Sequence, residues 1–167
     1  MPSAPDIEIT TLLAALDNQR QHIREVVRNL ADADLQRPAL PSGWTSLGLV
    51  NHLALDVELF WFRAALAGDQ AAIDELATIA DAWQVAPGTP AQDILDVYEN
   101  QIALANEVIR STPADVEPKW WPDAFGDWRL ASHREILLHV ITETACHAGH
   151  LDAAREVIDG GQWLVLT

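Results

Sequence analysis

The chain has 167 residues, 49% of them apolar, with 25 acidic side chains against 10 basic ones, a net charge of −15. That length fits one domain over residues 1–167 that buries its own core without a disulfide or a structural metal, and the apolar fraction excludes a disordered chain. A nucleic-acid binder would show a basic stripe and none is present, while an acidic surface repels phosphate backbones and anionic lipid.

Cys146 is the single cysteine, so no disulfide framework forms within the chain, which fits a reducing compartment. The opening MPSAPDIEIT lacks a basic run followed by an apolar one and is not a signal peptide. No uncharged stretch approaches the ~18 apolar residues of a membrane span. The expected setting is the cytoplasm.

Residues 7–32 read as a first helix, with Leu12, Leu13, Leu16, Ile23, Val26, Val27 and Leu30 near helical spacing and Thr10 or Thr11 as cap. Two prolines and a glycine in DADLQRPALPSGW break it. Residues 45–67 read as a second, strongly apolar helix, capped by Thr45 or Ser46 and closed by Gly68. Asp69 to Ala80 holds a short extra helix. Residues 90–111 read as a third, with Pro90 in its first turn. Its buried stripe is Ile94, Leu95, Val97, Tyr98, Ile102, Leu104, Ala105, Val108 and Ile109. After the Trp- and Pro-rich PADVEPKWWPDAFGDWRLAS comes a fourth helix, 132–159, with Ser132 as cap, Glu135 as its capping-box partner, and Gly160 and Gly161 at its end. The tail QWLVLT is too short to build a sheet. Four long helices with ordinary loops predict an all-α four-helix bundle.

The fourth helix carries the chemistry. At about 100° per residue, His139, Glu143, His147 and His150 fall within an arc of roughly 80°. They border the apolar stripe Leu137, Val140, Thr144, Ala148 and Leu151. Glu143 and His147, four apart, sit on adjacent turns and can share one ion, as ligands do inside bundles. A third donor must come from another helix. His52 is the candidate, because it lies among Leu49, Val50 and Leu53, where a polar group without a partner is costly. A hydrogen-bonded core histidine, and a solvated flank on the fourth helix, are the competing readings.

These segments resemble the DinB superfamily, specifically its actinobacterial branch related to mycothiol-dependent maleylpyruvate isomerase. The matching pieces are SGWTSLGLVNHLALDVELFWFRAALAGD and REILLHVITETACHAGHLDAAREVIDGG, and the most specific is ETACHAGHLD preceded by an isolated second-helix histidine. The resemblance implies a DinB-type bundle, up-down-down-up-like, often dimeric, holding a divalent metal, commonly zinc or nickel, on three ligands. Many members use two histidines on the last helix; Glu143 stands in place of the first, as the mycothiol-linked branch has it. The implied ligands are therefore His52, Glu143 and His147, and His150 occupies a position that is often Gln in other branches. The isomerase has a further C-terminal domain contributing to its active site, whereas this chain ends at Thr167, so the resemblance implies the fold and the metal rather than the isomerase reaction.

Two histidines and a carboxylate leave a coordination position open. An ion there could bind mycothiol or a similar small thiol and lower its pKa, giving an S-transferase acting on an electrophilic substrate, or it could activate water for hydrolysis. His150 is then a catalytic residue, as general base or ligand orienter, in preference to a fourth ligand. A non-catalytic metal-binding or stress-response bundle is the alternative from another class. His139 reads as partly exposed and structural in preference to an extension of the site, Cys146 as a small buried hydrophobe, and Asp56 and Arg63 as sharing the His52 face, Asp56 either orienting His52 or ion-paired. Of the seven tryptophans, Trp44, Trp61, Trp120, Trp121 and Trp128 flank the ligand helices. The last three are expected at a pocket rim, with core and homodimer contacts as the other use.

Overall fold

A computed structural model describes residues 7–163, and the regular elements among them are all helical, with no strand. In chain order they are α1 (Ile7–Val27), α2 (Asp32–Leu35), α3 (Ser46–His52), a π-helical segment continuing α3 (Leu53–Leu66), α4 (Gln70–Leu76), α5 (Ala91–Ser111), a 3₁₀ turn (Asp123–Phe125) and α6 (His133–Asp159). The opening residues 1–6 and the last four residues of the QWLVLT tail lie outside the described residues. Among the described residues no helix is long and apolar enough to cross a membrane.

Local chemistry sets the boundaries. Asn29 takes a left-handed conformation (φ 64°), which ends α1 at Val27 instead of the expected residue 32, and a four-residue helix restarts at Asp32. Thr10 and Thr11 are not caps: α1 already runs from Ile7, and the Thr11 hydroxyl donates to the Ile7 carbonyl at 2.7 Å. Thr45 does cap α3, accepting from the Gly48 amide at 2.9 Å. Gly68 (φ 63°) closes the π segment, and Asp69 caps the short α4. Pro90 stands one position before the first turn of α5, at its cap. Ser132 caps α6, while the Glu135 carboxylate reaches the Ala131 amide, one residue beyond the usual capping-box partner. Gly160, left-handed, ends it.

The α6 stripe is buried as its periodicity predicts. On α5, Val97 is exposed instead of buried, since the face that packs is Ala91, Tyr98, Gln101, Ile102, Ala105 and Ile109. Helix α1 packs on α6, and α5 and α4 pack on the π segment, enclosing Leu16, Leu49, Phe62 and Ile136. Among the described residues an ion pair lies inside this core. The guanidinium of Arg20 donates to both carboxylate oxygens of Glu58, at 2.7 and 2.6 Å, and both side chains are almost wholly buried. Burial disfavours the Arg20 charge, but Glu58 outweighs it and holds its pKa above normal.

The loop between α4 and α5 docks on α3. Asn51 donates to the Ala82 carbonyl at 2.7 Å, and a Cβ at Gly48 would stand 2.3 Å from the Trp83 carbonyl oxygen. Gly48→Ala must therefore push that backbone away. The expected loss of stability is about 1–3 kcal/mol by urea denaturation, with a change in the His52 ring resonances as Trp83 withdraws. Unchanged stability and resonances would mean that the close approach constrains nothing.

Candidate metal centre

The three expected ligands meet. His52, at the last turn of α3, and Glu143 and His147, one turn apart on α6, each present a donor atom within 4.8 Å of the others. His52 is buried and the other two are half-buried. His52 Nε2, Glu143 Oε2 and His147 Nδ1 are closed to solvent and lack a hydrogen-bond partner among the described residues. Three orphaned donors of the N/O type converging on one point suit a divalent cation, which would satisfy all of them at once.

Around them the chain fixes orientation. His52 Nδ1 donates to Asp56 Oδ2 at 2.9 Å, which leaves Nε2 free to face Glu143 Oε1, 3.8 Å away. Asp56 therefore orients His52. Arg63, expected on the same face, instead bonds Asp69 at 2.8 Å and Gln101 at 3.3 Å. The wheel that placed it assumed α geometry, and hydrogen bonds reaching back five residues rather than four rotate everything beyond His52. His139 is half-buried between Trp61 and Trp128, and its Nε2 lies 3.2 Å from Glu143 Oε2 without being aligned for a hydrogen bond. It touches the site, where the sequence favoured a structural role apart from it. His150 is exposed and outside the donor set, its ring 5.6 Å from that of His147 and 6.1 Å from Trp44. Cys146 is exposed rather than buried, because it projects from the face of α6 away from the stripe that packs.

The charges reinforce one another. Burial opposes protonation of His52, but Asp56 and Glu143 outweigh it and raise its pKa to about 9. Burial likewise works against the Glu143 carboxylate, and the His139 and His52 rings reverse this, bringing it down to about 2. Burial and the nearby His52 charge lower His147 to about 4, so its ring is neutral and offers a lone pair. At neutral pH the set carries one proton, on His52, which a cation would displace.

Trp83, which the sequence reading passed over, stacks on His52 at 4.2 Å between ring centres and stands 5.6 Å from His147. Its signal, a lone Trp in the irregular run DAWQVAP, is weak. Trp83 also borders a cavity of about 600 Å³ with Trp44, Thr45 and Gln36. On the other side of the site, Trp61, Trp121, Phe125 and Trp128 pack together around His139. The expected rim divides: Trp120 and Trp121 border a separate cleft, and Trp128 lies against His139. The remaining histidines serve elsewhere, His22 bonding Asp152 and His133 the Thr112 carbonyl.

A family model described as Mycothiol-S-transferase matches residues 11–160. No curated protein and no solved structure matches the chain.

Proposed function

The chain belongs to the mycothiol-S-transferase family, a DinB-like family, and on that premise we propose that it is a metal-dependent transferase that joins a small thiol of the mycothiol type to an electrophilic substrate. The observation carrying this reading is the convergence of three buried, partnerless donor atoms from His52, Glu143 and His147; Trp83, stacked on His52, also borders a cavity with Trp44. These three residues would hold the ion. When bound, a divalent cation supplies Lewis acidity that draws down the pKa of a thiol next to it.

The chain's own residues do the rest. Asp56 keeps the His52 lone pair on Nε2 pointed at the site, and the Glu143 charge offsets part of the cation's. Neutral His147 supplies a donor with no proton to lose near neutral pH. His150, on the next turn, takes the S–H proton, directly or through one water, as the carbon–sulfur bond forms and the electrophile's leaving group departs with the electron pair of the bond it breaks. Trp44 and Trp83 give the thiol's body an apolar wall. A set of three protein donors has the count of a catalytic site rather than a closed structural one, which favours turnover over a purely structural metal and leaves hydrolysis as the second chemistry. The same reading carries a four-helix bundle of DinB type over residues 1–167, zinc or nickel as the ion, a homodimer and a cytoplasmic setting.

The test is thioether formation from mycothiol and chlorodinitrobenzene by metal-loaded protein. The expected result is turnover that disappears with chelation. In His150→Gln, kcat falls by about 10²–10⁴ with metal content unchanged. Equal turnover by the chelated protein would overturn the proposal, and hydrolysis of activated esters without thioether formation would replace it with the hydrolase.

A further inference from the structure

The ten basic side chains of this acidic chain are unevenly engaged. Seven, all arginines, lie within ion-pair distance of a carboxylate. Of the other three, Lys119 and Arg129 border one and the same cleft, of about 380 Å³, on the segment that leads into α6. Its wall is apolar and aromatic, with Trp120, Trp121 and Leu130. The Arg129 guanidinium lies 5.5 Å from the centre of the Trp121 ring and is held there by hydrogen bonds to the Gly126 and Trp128 carbonyls. Glu117 also borders the cleft, and the Glu135 carboxylate accepts from the amide of Ala131 on its rim, so two carboxylates lie on the rim while the cations stand by the aromatic wall.

The cleft is preformed. The amides of Lys119 and Trp120 both donate to the Ala65 carbonyl, at 2.9 and 3.1 Å, and those of His133 and Arg134 to Val116 and Ala114. Trp121 is further packed by Trp61, Phe125 and Trp128. In a chain of charge −15 an anion is repelled almost everywhere, and screening over about 8 Å leaves the two cations of this cleft, neither ion-paired among the described residues, as its near neighbours on the aromatic wall.

We propose that this cleft binds a small anionic, flat apolar molecule, an aromatic carboxylate or its like, with its ring on the Trp120–Trp121 wall and its charge between Lys119 and Arg129. The volume suits a ligand of one or two rings. This site is separate from the His52 set and does not depend on the function proposed for it.

The test is isothermal titration of metal-free protein with naphthoate and with its neutral counterpart, naphthalenemethanol. Naphthoate is expected to bind at least about tenfold more tightly, with affinity falling as salt is raised. Lys119→Gln with Arg129→Gln removes the preference, and Lys119→Arg with Arg129→Lys keeps it. Both side chains are exposed, so the fold should survive, which circular dichroism would verify. Equal affinity for acid and alcohol in the parent, or a preference surviving in the Gln pair, would overturn the proposal. So would loss of naphthoate binding in His52→Gln, which removes the cation of the histidine set and would place the anion there.

Discussion

Glu143→Ala is expected to lose stoichiometric divalent metal, with affinity reduced at least a hundredfold. That is the upper end of the effect of removing an outer-shell partner, and Glu143 would itself be a ligand. Metal analysis of parent and variant, purified without chelating tags, reads it directly. Asp56→Asn should fall between the two, at about 10–100-fold, because it keeps the donors and loses only the carboxylate that orients His52. The parent has a pH signature as well. His52 is protonated below about pH 9 in the metal-free protein, and His147 only below about pH 4. Binding therefore releases one proton, and the apparent affinity should rise about tenfold per pH unit from pH 6 to 8. Protons compete with the metal, so the sign is fixed: acid weakens binding and base strengthens it. Full metal content in Glu143→Ala, or an affinity flat across that range, would remove the site from these residues.

The second large effect concerns stability. Glu58→Ala strands the Arg20 guanidinium in the core with its bidentate partner gone. Breaking a buried pair from one side costs about 3–5 kcal/mol. Asp17 and Asn106 still accept from Arg20, at 2.7 and 2.9 Å, which puts the expected loss near 3 kcal/mol. For a chain of this size that is a fall in melting temperature of roughly 6–12 °C. Replacing both partners with apolar residues, Arg20→Met with Glu58→Leu, should recover most of the loss, because no charge is then left buried. Thermal and urea unfolding of the single and double variants decide it. A double variant no better than Glu58→Ala would mean that the pair contributes through more than compensated burial.

How much of this was legible in the sequence depended on backbone geometry. Where the helix is α, as in α6, a wheel at about 100° per residue brought Glu143 and His147 together and chose the buried stripe. His52 was legible because it lies within α3, before the backbone changes. Arg63, eleven residues on, was misplaced because the segment between is π-helical, and no pattern of apolar residues distinguishes the two geometries in a stretch buried on nearly every side. The Arg20–Glu58 pair was illegible for a different reason: each charge shares its helix with other charged residues that stay at the surface, and only the packing of α1 against the π segment shows that these two meet. Trp83 was missed because what places it is Gly48 and Asn51, some thirty residues earlier in the chain, through a close backbone approach that leaves no local signature.

The π segment also sets what kinds of change this chain can absorb. Closing this stretch into an ordinary α-helix would leave it apolar and well formed. With its length unchanged, everything beyond His52 would nevertheless turn relative to it, because an α backbone advances about 100° per residue and a π backbone less. Glu58 would swing away from Arg20 and Trp61 away from His139, though no side chain had been altered. Over these fourteen residues the backbone hydrogen-bonding pattern is as much a part of the information as residue identity.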